Sequence, residues 1–165
     1  MTRRRGIGII AALLLISLLF LLGLGVASQG ARRYQQAAWM EKQVAARALA
    51  EAGLEDARVK LLKDWAFPPP TSMLSDSFGY TEQVQDLDGN LVGTYTVELD
   101  YELMPDPHRL LKIRSTGELG PPGERRVRRV LEAEVDMSAT LRTNAATPNP
   151  NYIHFLSIFD LGANS

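Results

Sequence analysis

The sequence predicts an α+β fold: one long N-terminal helix, transmembrane and then amphipathic, packed on a small antiparallel β-meander of about four strands. Three observations predict it. An apolar run extends from Ile7 to Ala27, broken only by Ser17 and a few glycines. A stretch rich in Ala, Leu, Glu, Lys and Arg continues to Trp65 and meets Pro68-Pro69-Pro70. Beyond the prolines, hydrophobicity alternates residue by residue between turn signals. These landmarks divide the chain into a basic leader (1–6), an apolar assembly helix (7–28), an amphipathic helix on the exported side (29–67), a sheet head (68–137), and a linker with an apolar tail (138–165).

The 165 residues leave room for one ordinary domain beside the N-terminal segment. Net charge is −1, and without three leader arginines 15 basic residues face 19 acidic ones, −4 in all. Such a surface has no global attraction for a polyanion. Cysteine is absent, which excludes disulfides and thiolate metal sites. Two separated histidines, His108 and His154, give no basis for an imidazole-built metal or catalytic centre. No cofactor is implied.

The apolar run is the first element. A helix from Ile7 to Ala27 would be roughly 30 Å long at 1.5 Å per residue, the thickness of a bilayer core. Arg3, Arg4 and Arg5 immediately before it predict a cytoplasmic N-terminus and an exported C-terminal bulk. A secretory signal peptide is one competitor, because Gly25-Val26-Ala27 offers small residues for a cut before Ser28. Its apolar core is longer than the usual ~7–15 residues, and helical pattern continues past the cut. A plain membrane anchor is another.

A third reading uses the order of features: three arginines, Gly6, then at once the apolar helix. A cut between Gly6 and Ile7 would leave that helix on the mature protein. This arrangement resembles the type III signal of type IV pilins and pseudopilins. The resemblance implies that a prepilin peptidase cleaves after Gly6 and that Ile7 becomes the N-methylated first residue. Most of that family carry a glutamate at the fifth mature position, where it pairs with the N-terminal amine of a neighbouring subunit. Here the position is Ala11. A buried carboxylate needs such a partner, and Ala11 can make no equivalent contact. The K-type minor pseudopilin also lacks the glutamate, so Ala11 points to a tip or initiating subunit rather than a repeating one.

The second half of the helix carries Ala45, Ala48, Leu49, Ala52 and Val59 at helical spacing, and the proline triplet ends it. Within it, Ala50, Glu51, Ala52, Gly53, Leu54 and Glu55 resemble the A-E-A-x-L-E/R pattern of PilX-type minor pilins. Gly23, Gly25 and Gly30 each weaken a helix by roughly 1 kcal/mol relative to alanine. The resemblance implies helix loosening there during assembly. Close packing through the small pair Gly23 and Ala27 is the simpler explanation.

The sheet follows. Leu91, Gly93, Tyr95, Val97, Leu99, Tyr101 and Leu103 lie on one side of a half-buried strand. Asp86 to Asn90 turns a hairpin from a strand near Tyr80–Gln85. Asp86, Asp88 and Asn90 match the first spacings of a calcium loop, but Leu91 stands where glycine belongs and Val97 where the bidentate glutamate belongs. A plain turn is expected. Pro105-Asp106-Pro107 turns into a strand with Leu111, Ile113, Ser115 and Gly117 inward. Gly120 to Gly123 turns into the last, with Val127, Leu131, Ala133 and Val135 on one face. A sheet with one apolar face needs a cover, and the Ala45–Leu62 helix face is available.

Arg125, Arg126, Arg128 and Arg129 form a basic cluster beside Glu132, Glu134 and Asp136. Some competence pilins contact DNA, so nucleic acid is weighed as a partner and is the less favoured reading. With no interleaved aromatic platform, a solvated face or subunit-contact patch is preferred. The tail from Tyr152 to Leu161 is apolar; an edge strand and a plug between subunits both remain open.

The expected role is therefore a minor pilin or pseudopilin that assembles or caps a filament of a type IV pilus or type II secretion kind. Its expected location is the inner membrane, single-pass with the C-terminus outside, and then a filament. Its expected partners are prepilin peptidase, other pilin-like subunits and the assembly platform. No Ser/His/Asp set, paired acid or phosphate loop suggests a reaction. The alternative is a membrane-anchored or secreted β-domain that binds or scaffolds without a filament.

Overall fold

The computed structural model describes residues 3–64, 67–69, 76–120, 127–141 and 143–163, with helix side chains at 8, 10–24, 29, 30 and from 32 onward. The order is helix α1 (Arg3–Lys63) followed by β1 (Ser77–Gln85), β2 (Leu91–Asp100), β3 (Leu110–Leu119), β4 (Val127–Asp136), β5 (Thr140–Leu141), β6 (Asn144–Pro148) and β7 (Phe155–Gly162). The chain divides into two compact units, Met1–Glu41 and Lys42–Ser165. Everything described in the first is helix. The second holds the rest of α1 and both sheets.

Two parts of the expected fold are corrected. The main sheet has five strands in the order β1-β2-β3-β4-β7, all neighbours antiparallel. The expected meander is its first four strands. The tail supplies the fifth, while β5 and β6 pair as a separate ribbon. The transmembrane half is also not sustained: among the described residues, no helix is long and apolar enough to cross a membrane. The described apolar stretch from Ile10 to Leu24 is only about 22 Å of helix, against a core of roughly 30 Å. The side chains of 25–28 lie outside the described residues, and Arg32 and Arg33 follow.

In the second unit, α1 covers one face of the sheet. Ala50, Leu54 and Ala57 from the helix meet Tyr95, Val97 and Leu99 of β2, Leu111 and Ile113 of β3, and Leu131, Ala133 and Val135 of β4. Burying each large side chain is worth about 1.5–3 kcal/mol, so this layer holds the head together. The inward residues of β3 and β4, and Gly93, Tyr95, Val97 and Leu99 of β2, are those the alternation predicts, whereas Leu91 is exposed and Tyr101 and Leu103 lie beyond the end of β2. The helix face is rotated from the expected one. Ala46, Leu49, Ala50, Leu54 and Ala57 are buried, while Ala48, Ala52 and Val59 are exposed.

Close approach explains that rotation. A Cβ at Gly117 would collide with the Ala46 carbonyl and stand 2.5 Å from the Ala50 nitrogen. A Cβ at Gly53 would collide with the Ser115 hydroxyl and stand 2.9 Å from the Tyr95 ring. Gly117 lets the helix backbone meet the strand, and Gly53 makes room for the Ser115 and Tyr95 side chains; these two close approaches fix the phase of the helix.

The β1–β2 turn is the expected one. Asp86 Oδ1 accepts hydrogen bonds from the Asp88 and Asn90 backbone N–H groups at 2.9 and 2.8 Å. Gly89 takes the left-handed φ of +84° that this tight turn needs. The expected turn between β3 and β4 lies, from Pro121 on, outside the described residues.

Candidate functional site

The first unit presents a surface that soluble chains do not normally leave open. Ile10, Leu13, Leu14, Leu15, Ile16, Leu18, Leu19, Phe20, Leu21, Leu22 and Leu24 are all more than half exposed. No charged residue falls between Gly8 and Leu24, and Ala11 is exposed among them without a polar group to offer. The polar exception, Ser17, donates its hydroxyl back to the Leu13 carbonyl at 2.8 Å, so it asks nothing of a partner. An apolar surface of this extent marks contact with protein or lipid. Gly23 and Gly30 lie along the same helix with no atom within 4 Å of an added Cβ. Among the described residues, no contact requires them to be glycine. Further on, Arg32, Gln35, Gln36, Trp39 and Met40 line a shallow groove.

For the leader residues Arg3, Arg4, Arg5, Gly6 and Ile7, and for Gly25 and Ala27, the structure gives helical backbone only. Arg125 and Arg126 lie outside the described residues. Arg128 and Arg129 are consecutive in β4 and therefore point to opposite faces. Arg128 is exposed, opposite Glu118. Arg129 faces the helix side, where its Nη2 donates to Asp160 Oδ2 at 2.9 Å. Arg47 of α1 reaches the same oxygen at 3.6 Å. The structure thus turns one member of the expected basic cluster into an anchor for β7. The Gly162 N–H, then Arg129 and Arg47, hold the Asp160 carboxyl below the usual range against the opposing effect of desolvation.

A second constellation went unread in the sequence. Lys60 Nζ lies 2.7 Å from Asp56 Oδ2, also pairs with Glu82, and sits 4.1 Å from the centre of the Tyr80 ring. The Tyr80 hydroxyl donates to Asp56 at 2.8 Å. Burial first, and then the neighbouring carboxylates, push the Tyr80 and Tyr95 hydroxyls up, so both stay neutral. Desolvation pulls Lys60 down, but its hydrogen bonds to Asp56 and Glu82 outweigh it and leave the ammonium more basic than usual. A protonated lysine and neutral tyrosines provide no base or nucleophile near neutral pH. The cluster ties the helix to β1. Only the Asp56–Lys60 spacing of four was visible in the sequence; Glu82 joins through the fold.

His108 and His154 stand in separate turns, each with its backbone N–H bonded to a nearby carbonyl. Among the described residues no group of three His, Cys, Asp or Glu side chains could hold a metal.

Compared with protein-family models, with curated proteins and with solved structures, the chain matches none.

Proposed function

We propose that the chain is a filament-assembly subunit of the minor pilin or pseudopilin kind, whose apolar helix packs against the helices of other subunits. The observation that carries this reading is the uncharged helical surface from Ile10 to Leu24, uncovered by anything described in the chain. A bare helix of this kind is not tenable in water. At about 1.5–3 kcal/mol for each large side chain withdrawn from it, many side chains act together to recruit a cover. The free space at Gly23 and Gly30 supports a cover that approaches closely, as another helix does and fluid lipid does not.

The order Arg3-Arg4-Arg5-Gly6-Ile7 supports processing by a prepilin peptidase after Gly6. Ala11, in place of an ionisable residue, supports a place at the start or tip of the filament. The location that accompanies this role is the inner membrane before assembly and an exported filament afterwards, with the assembly platform as a further partner. No reaction is assigned, and nucleic acid is not part of the proposal.

The mature N-terminus tests it. Intact-mass and N-terminal analysis of the protein isolated from its native cells is expected to give an N-methylated Ile7. An N-terminus at Ser28 would remove the helix and leave a secreted binding domain, the second reading. An uncleaved leader would leave an anchored one.

A further inference from the structure

The chain divides sharply by charge. Residues 1–40 hold five arginines and no acid, a net +5, whereas in 41–165 there are 13 basic residues against 19 acidic ones, a net −6. Between the leader arginines and Glu41 the only charges are the consecutive Arg32 and Arg33, and both are exposed. Side chains on a helix pair at spacings of three or four. Glu41, the nearest carboxylate along α1, stands nine positions from Arg32 and eight from Arg33, too far to pair with either. Tyr34 follows them at 81% exposed.

Two features say what such a segment meets. Consecutive residues step by about 100° round a helix, so Arg32, Arg33 and Tyr34 spread over about 200°, more than half of the circumference. A single partner helix touches one side of such a segment, while a layer of lipid headgroups touches all of it. Depth agrees. The apolar run ends in sequence at Ala27, and Arg32 lies five residues on, about 7.5 Å along the axis. Headgroups occupy roughly 5–7 Å outside the hydrocarbon, and helical side chains lean toward the N-terminus, here back toward the apolar run.

We propose that Arg32 and Arg33, with Tyr34, form a site for the phosphate groups of anionic phospholipid, which holds the apolar helix at a membrane surface before other subunits cover it. Arginine meets phosphate with a planar fork of donors, and tyrosine sets its polar tip among headgroups above an apolar body. Contact at one surface suffices, and no crossing of the bilayer is involved. The inference rests on the assembly reading only for its timing. Its charge and depth arguments hold equally for an anchored chain.

Gln29 is exposed one turn before both arginines, so Gln29→Trp places a fluorescent ring beside them. Full-length protein with this change is reconstituted into vesicles of equal phosphatidylglycerol and phosphatidylcholine. Bromine is placed near the headgroup end of the acyl chains of one lipid, then of the other, and quenching is read on the vesicle-bound fraction. The same measurement without Gln29→Trp subtracts the emission of Trp39 and Trp65. At low salt, phosphatidylglycerol is expected to be enriched beside the new ring about fivefold or more, the effect of one arginine near an anionic surface. Adding Arg32→Gln and Arg33→Gln is expected to make the two lipids quench equally. Equal quenching with both arginines present, or enrichment that survives their loss, overturns the inference. So does a ring that neither lipid quenches, which would assign the arginines to an acidic protein surface. If any of these comes with a methylated Ile7, the lipid site fails and the assembly reading stands.

Discussion

Ile153 holds a left-handed backbone, with φ at +57°, although β-branched side chains are the least tolerant of that region. It is kept there from both sides. Its side chain is 3% exposed within the core of the head, and its N–H donates to the Asp136 carbonyl at 2.9 Å. Left-handed geometry costs an L-residue roughly 1–2 kcal/mol, less than the ~2–5 kcal/mol of burying an isoleucine beyond its Cβ. At an ordinary buried position glycine is worse than alanine by about 0.5–1 kcal/mol. At 153 the order should reverse: both variants lose the side chain, but only glycine escapes the strain. Chemical denaturation of the full chain in detergent, followed by near-ultraviolet circular dichroism, is expected to rank the parent first, then Ile153→Gly, then Ile153→Ala. The usual order, alanine above glycine, would mean that the turn relaxes and stores no strain.

Among the elements, the hairpin strands were readable and the two flanking pieces were not, for different reasons. Strands β2 to β4 alternate cleanly because one face is covered and the other is wet. The α1 face in the head was read one step out of phase, since Ala45, Ala46, Ala48, Ala50 and Ala52 surround the helix and give the 3.6-residue period little contrast. Its phase is set by Gly117 and Gly53, whose role depends on a distant surface. Strand β7 hides for another reason. Its register shifts near Leu156 and Leu161 break the two-residue alternation, so its apolar residues read as an unpatterned run.

The anchor of β7 also has a consequence in pH. Asp160 has a folded pKa below its unfolded value of about 3.9. Its contribution is therefore complete above that unfolded value and is lost as pH falls through the lower, folded one. A pair at the edge of the sheet, its side chains 28% and 26% exposed, is worth about 1 kcal/mol, a factor of about five in local opening. Hydrogen exchange on the full chain is expected to show β7 amides losing protection relative to β3 only as pH falls below about 4. Asp160→Asn should already show that loss at pH 6 and little further change, whereas a parallel pH response in the variant would assign the effect to other carboxylates.

At the scale of the molecule, a head with a closed core is joined in one chain to a helix segment that closes nothing. That division was visible in the sequence as a change from unbroken apolarity to amphipathic helix to alternation. The fate of the apolar segment was not, because nothing described in the chain covers it. Gly23 offers a way to ask whether that partner is a close-packed helix. An added Cβ there meets nothing within 4 Å, and replacing glycine by leucine in a helix gains somewhat under 1 kcal/mol of helix propensity. Judged by the chain alone, Gly23→Leu is neutral to stabilising. Judged by a partner helix packed against the glycine, the new side chain forces the axes apart and removes the contact. In cells making both forms, Gly23→Leu protein is expected to reach parental levels, keep a processed N-terminus and a protease-resistant head, and yet fall several-fold in the sheared filament fraction. Equal incorporation would show that the position faces lipid or solvent in the assembled state, and helix packing through Gly23 would have to be abandoned.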